Sequence, residues 1–172
     1  MDEKNSTTCT VATQSLESKT GKREANTKCR HFSCLKALIN NKADINSKGQ
    51  FDFTPLHLAV NAGCSACVKY LLAKKADVNA VGQFNKTPLH IAAKLGRLDC
   101  LKLLQKKGAK VNAIDTKHQT PLHYAATLGC ISCVEYLLKK NAKVMMRDVD
   151  GNTPLNLCDN EECISILVDH IQ

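Results

Sequence analysis

Thr54-Pro55-Leu56-His57 recurs as Thr87-Pro88-Leu89-His90, again as Thr120-Pro121-Leu122-His123, and a last time as Thr153-Pro154-Leu155-Asn156, at steps of 33 residues without insertion. All four prolines of the chain lie in this phrase. A second phrase keeps the same period: Ala43-Asp44-Ile45-Asn46, Ala76-Asp77-Val78-Asn79, Ala109-Lys110-Val111-Asn112, Ala142-Lys143-Val144-Met145. Self-similarity at one fixed step marks a stack of identical supersecondary units, each burying its apolar face against its neighbours.

The physics of one unit can be read residue by residue. Thr54 suits a helix N-cap, where its hydroxyl can accept an orphan amide hydrogen bond. Pro55 suits the first helical position, where no donor is needed. Leu56 and Ala59 share one face, and Gly63 suits the left-handed residue that ends a helix. A second helix is predicted over Ser65–Ala73, with Val68, Leu71 and Leu72 as its apolar stripe. Lys74 and Lys75 then meet the negative end of the helix dipole. The residues two before each threonine are Asp52, Asn85, His118 and Gly151. These types tolerate positive φ, so each connecting loop is predicted to project as a hairpin with a fixed turn.

The T-P-L-H opening, the glycine after the first helix, the V-x-x-L-L of the second and the A-D-V-N before the loop resemble the ankyrin repeat. The resemblance covers residues 21–172. It implies an all-α solenoid of stacked helix-turn-helix units with projecting β-hairpin loops, and it implies that the histidines hydrogen-bond between units. The expected organisation is a disordered polar tail over 1–20, a degenerate N-terminal cap over 21–53, full units at 54–86, 87–119 and 120–152, and a shortened cap over 153–172, where Cys158 replaces Ala59, Ala92 and Ala125. Terminal units face water and depart from the pattern for that reason. The resemblance also implies that asparagines in the phrase L-x5-D-Φ-N, here Asn46 and Asn79, are substrates for an asparaginyl hydroxylase.

Composition sets bounds on function. The chain has 172 residues, 44% hydrophobic and 23% charged, which fits one soluble domain. Its first twenty residues are polar, so no secretory leader is expected, and the expected location is cytoplasmic or nuclear. The ten cysteines are then expected as free thiols. Cys67, Cys100 and Cys133, with Cys34, fall at the repeat step in a position that is apolar and buried, where cysteine acts as a small hydrophobe. Neighbouring units lie about 8–10 Å apart, too far for a disulfide between equivalents, which needs Cα atoms within about 7 Å. The same step keeps His57, His90 and His123 from sharing a metal. Cys64 and Cys130, at the turn between helices, are the thiols open to a sensing role. No nucleophile–base constellation or phosphate-binding loop is present. The chain is therefore read as a non-catalytic binding protein with no metal and no cofactor.

Residues that the period does not explain are the candidates for binding. Three of the four phenylalanines, Phe51, Phe53 and Phe84, lie on the loops, where large aromatics mark binding surfaces. The candidate surface is Gln50, Phe51 and Phe53; Gln83, Phe84 and Lys86; Thr116, Lys117 and Gln119; and, at the ends of the first helices, Asn61, Lys94, Leu95 and Thr127. The alternative for Phe51 and Phe84 is packing on the adjacent loop. The partner expected is another protein, bound by a monomer acting as adaptor or inhibitor, and the net charge of +8 favours an acidic one. Lys74-Lys75, Lys106-Lys107 and Lys139-Lys140 recur at the period and raise the alternative of a nucleic-acid or chromatin factor. A cytoskeletal or membrane-protein linker is the weaker third reading.

Overall fold

The computed structural model describes residues 32–171. The polar tail over 1–20, residues 21–31 of the expected N-terminal cap and the Cys34 side chain lie outside the described residues. Among the described residues eight α-helices follow in order: α1 Phe32–Asn40, α2 Pro55–Asn61, α3 Ser65–Ala73, α4 Pro88–Lys94, α5 Leu98–Lys106, α6 Pro121–Thr127, α7 Ile131–Lys139 and α8 Glu161–Asp169. The inner helices α2, α4 and α6 pack in one row, and the outer helices α1, α3, α5, α7 and α8 in a second. One continuous core runs between the rows, with Leu56, Leu71, Leu89, Leu101, Leu104, Leu122 and Leu137 fully buried.

Local chemistry sets the element ends. Gly63, Gly96 and Gly129 close the inner helices at φ 68°, 61° and 65°. The outer helices end in a left-handed residue at Lys42, Lys75, Gly108 and Asn141. The amide after each, at Ala43, Ala76, Ala109 and Ala142, donates back to Leu38, Leu71, Leu104 and Leu137 at 3.0–3.1 Å. This is the Schellman closure, and it satisfies carbonyls that the helix end would leave unpaired. In the last unit the inner helix shrinks to a 3-10 turn, Pro154–Leu157, with Cys158 extended at φ −99°, ψ 122°.

Two polar columns join the units. Each histidine in the first turn of an inner helix accepts at Nδ1 from the preceding threonine, with the Thr54 amide 3.2 Å and its Oγ1 2.9 Å away. Its Nε2 then donates to a carbonyl of the next loop: His57 to Lys86 at 3.0 Å, His90 to Gln119 at 3.1 Å, His123 to Asn152 at 3.2 Å. The inter-unit role expected of these histidines is therefore present. The second column is Asn46, Asn79 and Asn112, whose Oδ1 atoms accept from the amides of Asp77, Lys110 and Lys143 at 2.9, 2.8 and 2.9 Å. Asn79 also donates to the Gly108 carbonyl at 3.2 Å. Hydroxylation of Asn46 and Asn79 remains a proposal, and it would act on groups already committed to holding units together. Asn79→Ala is expected to lower the unfolding free energy by about 1–2 kcal/mol. A urea melt checks this, and an unchanged midpoint would deny the column a stabilising role.

The cysteines follow the expected burial with one exception in chemistry. Cys67, Cys100 and Cys133 are buried and free. Cys64, expected as a thiol, is disulfide-bonded; Cys67, whose Sγ lies 2.7 Å away, is a free thiol and not its partner. The expectation of free thiols rested on compartment alone, which repeat spacing does not test. Burial pushes the Cys67 thiol up to about 11 and, with the Cys130 contact adding to burial, that of Cys133 up to about 12. Among the described cysteines, alkylation of the native protein should accordingly reach half-buried Cys130 before these two, which react only on unfolding. Peptide mapping checks this, and rapid labelling of Cys67 would contradict its buried placement.

Candidate interaction groove

The loops between units project as expected, but they are too short to hold a β ladder, and no strand occurs among the described residues. Each is closed at its base by a backbone bond, Gly49 N–H to Phe53 O, Gly82 to Lys86, Asp115 to Gln119 and Asp148 to Asn152, at 2.9–3.1 Å, and within the turn by another from Asp52, Asn85, His118 and Gly151 N–H to the Gly49, Gly82, Asp115 and Asp148 carbonyls at 3.0–3.1 Å. Neighbouring loops are tied by Thr116 N–H to Phe84 O and Val149 N–H to Lys117 O, both 3.0 Å. Asp52, Asn85, His118 and Gly151 take positive φ, as their residue types predicted.

The first two loops differ from the last two in a way the sequence did not signal. Phe51 and Phe84 are also left-handed, both at φ 58°. Two consecutive left-handed residues, Phe51-Asp52 and Phe84-Asn85, make the tight hairpin turn that otherwise favours glycine and asparagine. The last two loops begin with Asp115 and Asp148 in place of Gly49 and Gly82. Asp115 Oδ1 accepts the amides of Lys117 and Gln119 at 2.8 and 2.9 Å, and Asp148 Oδ1 those of Asp150 and Asn152 at 3.1 and 2.8 Å. Asp148 is held below the usual carboxylate range: burial pushes it up, but the Gln119 amide and these backbone donors outweigh that. A glycine has no carboxylate to organise the turn, so the chain turns through two left-handed residues instead.

A left-handed conformation costs an L-residue roughly 1–2 kcal/mol. Here it holds two aromatic rings outward, Phe51 50% and Phe84 57% exposed. The Phe51 and Phe53 rings meet edge to face at a centroid distance of 6.4 Å and an angle of 60°. Both rings therefore keep half or more of their surface in solvent.

Behind these tips lies a groove of about 300 Å³ lined by Phe53, Asn61, Gln83, Phe84, Lys86, Ile91, Lys94 and Leu95. Phe53 stacks on the His57 ring at 5.2 Å and 19°. It fits there because residue 82 is glycine: a Cβ on Gly82 would clash with Phe53 Cδ1. The Lys86 ammonium lies between two rings, 5.6 Å from the centroid of Phe84 and 5.2 Å from that of Tyr124. Burial, then the charge of Lys94, lowers its pKa; Asp115 opposes this and Lys117 adds to it. The Tyr124 hydroxyl donates to Asp115 Oδ2 at 2.7 Å. Burial and this carboxylate push the phenol well above its usual range.

Of the predicted surface residues, the structure brings Phe53, Gln83, Phe84, Lys86, Asn61, Lys94 and Leu95 to this one groove. Gln50 and Phe51 sit on the adjoining tip. Gln119 is placed otherwise: its side chain donates to Asp148 Oδ2 at 3.0 Å, and its carbonyl receives His90. Thr127 Oγ1 turns back to the His123 carbonyl at 2.9 Å. Thr116 and Lys117 are exposed farther along the loop row. Ile91, which lines the groove, was not singled out by sequence because it occupies a periodic helix position.

The recurring lysines lie elsewhere, exposed at the C-terminal ends of α3, α5 and α7. Lys74 and Lys140 cover the rings of Tyr70 and Tyr136 at 5.9 and 5.7 Å. Among the described residues no group of histidine, cysteine or acidic side chains could hold a metal, and no helix is long and apolar enough to cross a membrane. In comparison with known proteins, a family model described as ankyrin repeats in three copies matches residues 25–115 and 112–172. No curated protein matches the chain.

Proposed function

Because the chain belongs to the ankyrin-repeat family, whose repeats are protein–protein interaction modules, we propose that it is a non-catalytic adaptor or inhibitor that binds its partner protein at the groove between the first two loops and helices α2 and α4. The observation that carries this reading is the pair of outward, left-handed phenylalanines. Backbone strain is retained where something other than stability favours it. Exposed aromatic rings beside a cleft are the composition of an interaction hot spot. The lysines that prompted the nucleic-acid reading cap outer helices and two of them lie on tyrosine rings, a role complete within the fold.

The test is affinity capture of binding proteins by the wild type and by Phe51→Gly/Phe84→Gly. Glycine adopts the left-handed turn without strain, so each substitution is expected to hold the unfolding free energy or raise it by about 0.5–1 kcal/mol. A partner retained by the wild type and lost by this equally stable variant is the expected result. The same partners on both proteins would count against the groove.

A further inference from the structure

The groove also carries information about what fills it, and that inference rests on the function just proposed. Its floor is apolar, from Phe53, Ile91 and Leu95, with Phe84 on one wall. Its charged lining residues are both cations, Lys86 and Lys94. Lys117 is close enough for its charge to bear on Lys86. No carboxylate lines it. Asp115, the acid that acts on Lys86, is already occupied by the Tyr124 hydroxyl at 2.7 Å and by the Lys117 and Gln119 amides at 2.8 and 2.9 Å. The site thus combines apolar area with positive charge that the protein leaves under-compensated.

The cation is also pre-positioned. With its ammonium between the Phe84 and Tyr124 rings, Lys86 has lost much of the rotamer freedom that binding would otherwise cost. The groove's roughly 300 Å³ is at the lower end of ligand pockets, which suits a few side chains of an extended segment. A nucleic-acid strand fits less well. It needs a continuous cationic track beside successive stacking rings, whereas here the cations lining the groove are two, Lys86 and Lys94, and its floor mixes the Phe53 ring with aliphatic Ile91 and Leu95.

We propose that this groove takes an acidic peptide segment of the partner protein, one that seats an apolar side chain on Phe84, Ile91 and Leu95 and places an Asp or Glu carboxylate against Lys86 and Lys94. Charge complementarity of this kind decides which partners are accepted and how fast they associate more than it sets raw affinity.

The experiment is selection of a random-peptide phage library against the full chain. Selected sequences are synthesised with a fluorescent label and measured against the wild type, Phe84→Gly and Lys94→Glu. Lys94 is exposed, so its reversal leaves the fold intact, which circular dichroism verifies. Enriched sequences should pair acidic with apolar residues, weaken by about tenfold or more on each variant, and weaken further as salt is raised. Enriched sequences of another composition that are still lost on Phe84→Gly would overturn the acidic-segment inference and leave the groove as the binding site. Peptides indifferent to Phe84→Gly would overturn the inference and the proposed site together. No enrichment at all would overturn the inference. A labelled single-stranded oligonucleotide that binds more tightly than the peptides, and is lost in the same variants, would overturn it in favour of nucleic acid.

Discussion

Acidification from pH 7 to pH 5 is expected to remove about 2 kcal/mol of stability through His57 alone, with His90 and His123 adding losses of the same sign. His57 is fully buried, and its pKa falls from 6.5 to about 4. Burial is the main cause; the nearby charge of Lys48 adds to it, while the Lys86 and Ala80 carbonyls and Asp77 oppose it. Burial likewise lowers His90 and His123. The geometry explains why protonation is excluded. Nδ1 accepts from the Thr54 amide at 3.2 Å, a donor that cannot reverse, so a second ring proton there would be opposed by that N–H. Below pH 6.5 the unfolded chain takes up a proton at His57 and the folded chain does not, so stability falls with pH across the window from 6.5 down to about 4. The full window is worth about 3 kcal/mol for His57 at 1.36 kcal/mol per unit. Asp148 cannot explain a loss in this range, because its contribution disappears only below the carboxylate value of 3.8.

Urea melts at pH 7, 6 and 5 measure the slope, and a flat profile would contradict it. His57→Asn supplies the control, since the last unit already uses that solution: Asn156 Oδ1 accepts from the Thr153 amide at 2.9 Å and its hydroxyl at 2.8 Å without a titrating ring. The variant should be less stable at pH 7, having lost the bond to the Lys86 carbonyl, and should show a shallower pH dependence.

Most of the fold was legible because it is written many times over. The predicted helix over Ser65–Ala73 is the one observed, and the glycine and proline positions marked helix ends wherever the unit recurs. The left-handed positions at Asp52, Asn85, His118 and Gly151 were readable because turn residues report their own backbone. Phe51 and Phe84 were not, because nothing about an aromatic residue announces positive φ; the cause lies one turn back, in the glycines that replace Asp115 and Asp148. The site was legible as a set of exceptions to the period, which located the groove's loop residues but not Ile91, hidden in a helix slot. Gln119 shows the converse limit: a loop position looks free in sequence until the neighbouring unit supplies Asp148. Such pairings, 29 residues apart, are set by the stack and are invisible within one unit.

The same pairing sets the other large expected effect. Across successive loops, residue 53 faces 82, 86 faces 115 and 119 faces 148, as phenylalanine over glycine, lysine near aspartate and glutamine bonded to aspartate. Gly82 has φ −106° and ψ −156°, an extended conformation open to any residue, so its glycine answers to close approach rather than to backbone freedom. A Cβ there would clash with Phe53 Cδ1 and lie 2.8 Å from Cε1. The ring cannot simply swing away, since it is stacked on His57 at 5.2 Å and forms part of the groove. Gly82→Ala should therefore cost about 1–3 kcal/mol and weaken peptide binding at the groove. In Phe53→Ala the space is vacant, so adding Gly82→Ala should then cost little. The coupling in this double-mutant cycle should reach about 1 kcal/mol or more. Additive costs would mean that Phe53 is not held against Gly82, and the groove would lose the ring that forms its floor.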